Sequence, residues 1–283
     1  MTVIASREVA VVSGVLNKHS IAYHIAKAME NDGIKVVYLV QDTFIDRVKE
    51  KRILPDDADI VPYDATNSDL VKQGSDYIAR TYGAIDYLVH AVAFSDKAQL
   101  EGSFLKLTKE NFINTMVIST FSFVEMCDAY QDILADNASV ATLTFLGSQY
   151  VAANYGPMGI AKAALESAVR YAAQDLGPRG IRVNAIAPGP VKTLAASGIG
   201  EFDLSLYMGA LRSATGKNAT AEQVGRTTLK LMQCEGVTGD VLSVDNGTKL
   251  AGMGTSPGEK RAIATARELE RAEAKAAKQA KAD

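Results

Sequence analysis

Seven short apolar runs, each but the last followed by a stretch with helical spacing, constrain this chain more than any other feature. The first, 8–13 (EVAVVS), is rich in β-branched residues and stops at Gly14. A helical pattern then starts near Ser20 and closes at Gly33, a residue type that ends helices because it tolerates left-handed backbone angles. The second run, 34–40 (IKVVYLV), is apolar throughout. The alternation continues with a strand at 60–62, a helix over about 67–82, a strand at 85–93 (IDYLVHAVA) and a long helix over roughly 112–134. It ends with a strand at 139–145 (SVATLTF), a helix after Tyr155, a strand at 182–187 (RVNAIA), a helix over about 220–233 and a strand at 240–244 (DVLSV). Strands without a polar face need cover on both sides, which is the condition of a parallel sheet between two helical layers. The predicted fold is α/β: a Rossmann-like, doubly wound sheet of about seven parallel strands with helices on both faces. It forms a single domain over 1–253, followed by a charged tail over 254–283.

The tail opens on Ser256-Pro257-Gly258-Glu259, a capping box with proline at the first helical position, and continues in Ala, Lys, Arg and Glu. With few large apolar side chains it has little to bury, so a solvated, frayed or disordered helix is expected. Contact with a partner or a neighbouring subunit is the other reading.

Composition removes several function classes. The formal net charge is −3 and lysines and arginines are scattered before the last thirty positions, so there is no basic footprint for nucleic acid. Cys127 and Cys234 lie in apolar periodic segments, and the three histidines, at 19, 24 and 90, form no ligand cluster, so neither a disulfide nor a metal site is expected. No signal-peptide core precedes the first strand and no run of about 18 apolar residues could span a membrane. The expected location is the cytoplasm.

Chemistry concentrates in 154–162 (NYGPMGIAK). On a helix, seven residues make about two turns and roughly 10 Å of rise, which places Tyr155 and Lys162 on nearly one face. A phenol can donate to an oxygen that is gaining charge, and an ammonium can stabilise that charge and hold sugar hydroxyls. Taken alone, the stretch is read first as a helix start with a half-buried tyrosine and a solvated lysine. Pro157 disfavours helical geometry at Gly156, so Tyr155 is expected at the threshold of the helix.

The first strand-to-helix turn, 13–22 (SGVLNKHSIA), lacks the G-x-G-x-x-G pattern, but Gly14 permits a tight turn and Ser20 stands at a helix N-terminus that could receive a pyrophosphate. A plain loop with Ser20 as N-cap fits as well. Gln41 and Asp42 follow the second strand, where an acidic group repels a 2′-phosphate, favouring NAD over NADP; Arg47 and Lys49 nearby soften that preference. Asp64 can accept from an adenine amino group or simply cap the strand end.

These features together resemble the bacterial enoyl-acyl-carrier-protein reductases, divergent members of the short-chain dehydrogenase/reductase superfamily. The resemblance covers roughly 6–253. It is carried by the Gly14–Ser20 loop, Asp64-Ala65, 90–94 (HAVAF), the Tyr155 to Lys162 spacing, 189–199 (GPVKTLAASGI) and 239–247 (GDVLSVDNG). The spacing discriminates, because ordinary short-chain dehydrogenases use Y-x3-K and the residue four before Lys162 is Met158. Departures from the family pattern are Phe145 where tyrosine is frequent, Ala93 where glycine is general, Pro188 where alanine is common, Gly156-Pro157 and Asn246.

The resemblance implies NADH-dependent reduction of trans-2-enoyl thioesters in type II fatty-acid biosynthesis, with NADPH less favoured and acyl carrier protein presenting the chain. It assigns Tyr155 to the thioester carbonyl and Lys162 to the nicotinamide ribose. Gly14, Ser20 and Ile21 would hold pyrophosphate and ribose, with Gln41, Asp64 and Ala65 along the adenosine. Ala91, Val92 and Ala93 would line the path to the nicotinamide, with Val191 and Thr193 at the carboxamide and phosphates. Phe94, Phe145, Leu194, Ile199, Phe202 and Leu206 would meet the acyl chain, with 194–212 forming a mobile loop and helix that closes over it. A homotetramer built through the helices over 112–134 and 156–177 is also implied. The alternatives are a related reductase of another enoyl or keto substrate, and a catalytically weak NAD-binding regulator or scaffold.

Overall fold

The computed structural model describes residues 8–193, 202–251, 258–266 and 268–269. Among them, seven strands form one sheet: β1 (Val9–Ser13), β2 (Lys35–Gln41), β3 (Asp59–Tyr63), β4 (Ile85–His90), β5 (Leu134–Leu143), β6 (Arg182–Pro188) and β7 (Val241–Val244). Their order is β3-β2-β1-β4-β5-β6-β7 and every neighbouring pair is parallel. The connecting helices are α1 (Ile21–Asn31), α2 (Ile45–Glu50), α3 (Ser68–Tyr82), α4 (Lys97–Leu100), α5 (Lys109–Met116), α6 (Ser122–Tyr130), α7 (Gly156–Leu176), α8 (Phe202–Arg212) and α9 (Ala221–Met232).

The period of two along each strand explains why the apolar runs are continuous. On β1, Val9 and Val11 enter a core with residues of α3, α6 and α7, whereas Ala10 and Val12 enter a second core with α1 and α9. Each such fully buried aliphatic side chain contributes about 1.5–3 kcal/mol. Helices α1 and α9 cross so closely that a Cβ on Gly225 would lie 2.4 Å from the His24 carbonyl oxygen, so that position admits glycine alone. Asn67 caps α3 by accepting from the Leu70 amide, and Thr220 with Gln223 forms a reciprocal capping box on α9.

Two elements depart from the sequence expectation. The helix predicted over 112–134 is divided: α5 passes into a π-helical turn, Val117–Phe121, before α6 begins, and a 3-10 turn, Gln131–Ile133, follows it. Such a turn inserts one residue into the helix and is held by side-chain bonds here; Thr120 Oγ1 donates to the Ala161 carbonyl on α7 at 2.8 Å. Strand β5 starts five residues earlier than its apolar run, because Leu134 pairs with Ile85 across a register shift that Ala135-Asp136-Asn137-Ala138 spans.

Residues 258–266 of the tail are helical and dock on the chain's own α8. Arg212 Nε pairs with Glu259 Oε1 at 2.9 Å, and Gly258 is buried against the Leu211 backbone. The expected capping role of Ser256 lies outside the described residues.

Candidate active site

The strand order reverses between β1 and β4, and the carboxyl ends of strands flanking such a point open the crevice where ligands of these sheets sit. Gly14 makes the turn out of β1 with φ of +88°, and a Cβ there would stand 2.1 Å from the Ala91 carbonyl oxygen. Ser13 ties the two strands by donating from Oγ to Val89 and accepting from the Ala91 amide, both at 3.1 Å. The loop then reaches Ser20, the N-cap of α1, whose hydroxyl donates to the Asn17 carbonyl at 2.7 Å and does not accept from the helix amides. Lys18 and His19 are exposed. The closely approached backbone and an eleven-residue helix pointing its N-terminus at the crevice fit a pyrophosphate.

Along the same edge, Gln41 is exposed at the end of β2, and Asp42 accepts from the Thr43 amide. Arg47 lies over the Phe44 ring, 5.8 Å from its centroid. Asp64 Oδ1 accepts from the amide and hydroxyl of Thr66, so it closes the turn after β3, and Ala65 is buried beneath it. Ala91 and Val92 are half-buried while Ala93 is exposed and outside the left-handed region, so the methyl at that position strains nothing. The Val191 side chain is buried in a small core with Ile186 and Val224, and Thr193 is half-buried. Asn246 adopts φ of +52°, a conformation asparagine accepts more readily than most residues, and so stands where the family pattern has glycine.

Tyr155 occupies the N-cap of α7, just outside the helix, and Pro157 falls within its first turn. Both Tyr155 (9% exposed) and Lys162 (5% exposed) are buried, so the solvated lysine allowed by the sequence does not occur. Burial pushes the Tyr155 phenol well above its ordinary value and keeps it a donor. It pulls the Lys162 ammonium down to about 8, against which the charge of Glu166 works. Lys162 Nζ donates to the Leu143 carbonyl at 2.8 Å, which fixes the ammonium at the carboxyl end of β5.

A small apolar cluster surrounds the phenol. Leu100, Tyr155 and Met158 are buried together with Phe145 and Ala152 packed against them. Phe94, half of it exposed, is held by its backbone, whose amide and carbonyl both bond Ser119 Oγ. The same Ser119 oxygen lies 3.7 Å from Met158 Sδ, so the side chain four before Lys162 lies between the phenol's cluster and the π-helical turn. Phe202 and Leu206 are half-buried on α8, which packs on Pro190 through Gly209; among the described residues they are not part of the Tyr155 cluster. Leu194 and Ile199 lie outside the described residues.

Sequence reasoning passed over Leu100, Ala152 and a polar group around His90. Ser122 Oγ donates to Ile118 at 2.6 Å and so accepts from His90 Nε2–H at 2.9 Å, leaving Nδ1 to accept from Thr142 Oγ1 at 3.0 Å. Burial, and then the Lys162 charge, hold the imidazole neutral, its pKa lowered to about 3. A single histidine in an apolar run gives no periodic signal from which these partners could be read.

Comparison with known proteins agrees with this arrangement. The family profile described as enoyl-(acyl carrier protein) reductase matches residues 14–249. Enoyl-acyl-carrier-protein reductase (NADH) 2 of Rhizobium meliloti is 39% identical over 251 residues, covering 86% of this chain and 92% of that protein. The corresponding enzyme of Bacillus cereus is 35% identical over 249 residues, covering 86% and 96%. Among solved structures, the Anaplasma phagocytophilum reductase in complex with NAD superposes with a TM-score of 0.81 at 34% identity, covering 88% and 95% of the two chains. The Bacillus cereus reductase with NADP+ and an indole naphthyridinone gives 0.83 at 34% identity, covering 87% and 98%. A buried phenol and ammonium seven residues apart, on a sheet of this order and with this extent of likeness, have one reading: the chain belongs to the enoyl-(acyl carrier protein) reductase family.

Proposed function

We propose that this protein reduces trans-2-enoyl thioesters carried on acyl carrier protein, with NADH as reductant. The observation that carries the proposal is the burial of Tyr155 and Lys162 at the start of one helix by the carboxyl ends of the central strands, with Met158 packed as an apolar neighbour of the phenol. The reduced nicotinamide supplies a hydride to C3 of the enoyl chain. Tyr155 donates to the thioester oxygen as it takes up the enolate charge, an interaction stronger in the transition state than in the ground state. Protonation at C2 completes the saturated product. Lys162, fixed by Leu143, holds the ribose and contributes positive potential.

Gly14, Ser20 and Ile21 are assigned to the pyrophosphate, Gln41, Asp64 and Ala65 to the adenosine, and Ala91 to Ala93 with Val191 and Thr193 to the nicotinamide half. The exposed Asp42 carboxylate supports NADH over NADPH. Phe94, Phe145, Phe202 and Leu206 are assigned to the acyl chain, joined by Leu100 and Ala152 from the cluster around Tyr155. Residues 1–253 carry the chemistry in this reading, and the tail braces α8.

A homotetramer is part of the proposal, supported by the exposed apolar side chains of Phe121, Val124, Ile160 and Tyr171 on the π-helical turn, α6 and α7. So is action in the cytoplasm; among the described residues no helix is long and apolar enough to cross a membrane. The test is NADH oxidation dependent on a trans-2-enoyl thioester.

A further inference from the structure

One turn beyond Lys162 on α7 lies a buried carboxyl group that the reaction does not use. Glu166 is 7% exposed, and its Oε1 accepts from Thr144 Oγ1 at 2.7 Å and from Ser148 Oγ at 2.5 Å. Its Oε2 accepts from Gln149 Nε2 at 3.5 Å. All three donors belong to the segment leaving β5. Burying a carboxylate costs several kcal/mol unless it is paired and hydrogen-bonded, and an apolar side chain in its place would cover the same space without that cost. The position therefore needs an explanation beyond packing.

The segment that Glu166 holds is the one on which Tyr155 rests. Phe145 and Gly147 lie between the anchors Thr144 and Ser148. The Phe145 ring meets Tyr155 edge to face, and a Cβ on Gly147 would come within 2.7 Å of the Tyr155 ring. The Gly147 carbonyl in turn stands 2.8 Å from where a Cβ on Gly159 of α7 would be, so wall and helix are in direct contact. On its other side, Glu166 is four residues from Lys162, the spacing that sets two side chains over one another on a helix.

We propose that Glu166 is a positioning residue of this site, a single buried side chain that pins 144–149 as the wall behind Tyr155 and stands one helical turn from Lys162. The inference rests on the reductase reading for its kinetic consequences and on the structure for the rest. Among the described residues, Lys162 meets the Leu143 carbonyl from β5, His90, which burial holds neutral, from β4, and Glu166 from its own helix. Burial drives the ammonium toward its neutral form, and Glu166 is the charge that opposes this.

Three variants separate the two roles. Glu166→Gln keeps an oxygen for the Thr144 and Ser148 hydroxyls and removes the charge. Glu166→Ala removes both. The double variant Thr144→Val/Ser148→Ala removes donors and leaves the charge. The measurements are the NADH dissociation constant between pH 6 and pH 10, kcat and KM with a trans-2-enoyl thioester over the same range, and the thermal midpoint. Glu166→Gln is expected to match the wild type near pH 6.5, while the alkaline loss of NADH affinity and of kcat moves down by about one pH unit. Glu166→Ala is expected to lower kcat by about ten- to a hundredfold at every pH, because Tyr155 loses its aim. The double variant is expected to lower kcat without moving the alkaline limb, and it decides the wall role should the Glu166 variants not fold. NADH-affinity profiles of Glu166→Gln and wild type that superimpose would overturn the charge role, and an unchanged kcat in Glu166→Ala or the double variant would overturn the wall role. A wild-type protein that binds NADH but reduces no enoyl thioester sinks the reductase reading alone, since the NADH series still decides whether Glu166 acts on Lys162.

Discussion

The ring of Tyr155 meets that of Phe145 edge to face, with centroids 5.0 Å apart and planes at 67°, and it occupies the space a Gly147 side chain would need. Gly147→Ala puts a methyl 2.7 Å from Tyr155 Cδ1, a distance at which something must shift, and the ring is the neighbour free to turn. We expect kcat to fall at least about tenfold, with the NADH dissociation constant within about threefold of wild type. Steady-state kinetics and a fluorescence titration check this; equal losses in both would place the damage in the whole crevice rather than in the phenol.

Tyr155→Phe keeps the ring and its contact with Phe145 and removes only the donor. Loss of one such donor costs about 3–4 kcal/mol of barrier, so kcat should drop by about two to three orders of magnitude while NADH affinity is retained. Turnover near the wild-type value would show that another group carries the oxyanion.

Lys162, assigned to the cofactor ribose, carries a burial cost in stability that pH exposes. In the unfolded chain the amine keeps its proton up to about 10.5, whereas in the folded protein it gives it up near 8. Between those values the unfolded state binds more protons, so this group's contribution to stability rises with pH, and below about 8 the burial cost is borne in full. Lys162→Met should therefore abolish activity yet stabilise the protein at pH 7 by on the order of 1–2 kcal/mol, the gain shrinking toward pH 10.5. Denaturant melts of both proteins at pH 7, 9 and 10 measure the difference; a difference constant across them contradicts the assignment.

His90 gives the opposite end of the pH profile. Its imidazole stays neutral in the fold down to about 3, while the unfolded chain protonates at the ordinary value of 6.5. The unfolded state thus binds more protons as the solution is acidified, and stability falls by about 1 kcal/mol per pH unit below 6.5 from this residue. His90→Gln, which retains a donor and an acceptor for Ser122 and Thr142, should lose stability less steeply between pH 6.5 and 4.5 than the wild type. Parallel curves would mean that other groups dominate acid unfolding.

The parallel sheet and its two helical layers were legible in the sequence because the apolar runs of the inner strands are buried on both faces; Val9 to Ser13 is buried at every position. Tyr155 at the threshold of α7 followed from Pro157. What periodicity could not give is local hydrogen bonding. The π-helical turn at Val117–Phe121 has the same apolar content as an α-helix, and its signature is the pair of hydroxyl bonds from Ser119 and Thr120 to distant backbone. The Glu166 cluster joins residues 17–22 positions apart through oxygens, and the only trace in the sequence is its spacing from Lys162. The tail reads as a solvated segment because the contacts seen among the described residues, Gly258 on the Leu211 backbone and Glu259 with Arg212, come from residue types that carry no apolar periodicity.

The central claim is tested most directly by following NADH absorbance when the purified protein meets a medium-chain trans-2-enoyl thioester on acyl carrier protein. The account predicts thioester-dependent oxidation of NADH, slower with NADPH, and a saturated acyl product in equal amount. No oxidation across a series of enoyl chain lengths, from a protein that still binds NADH, would contradict it.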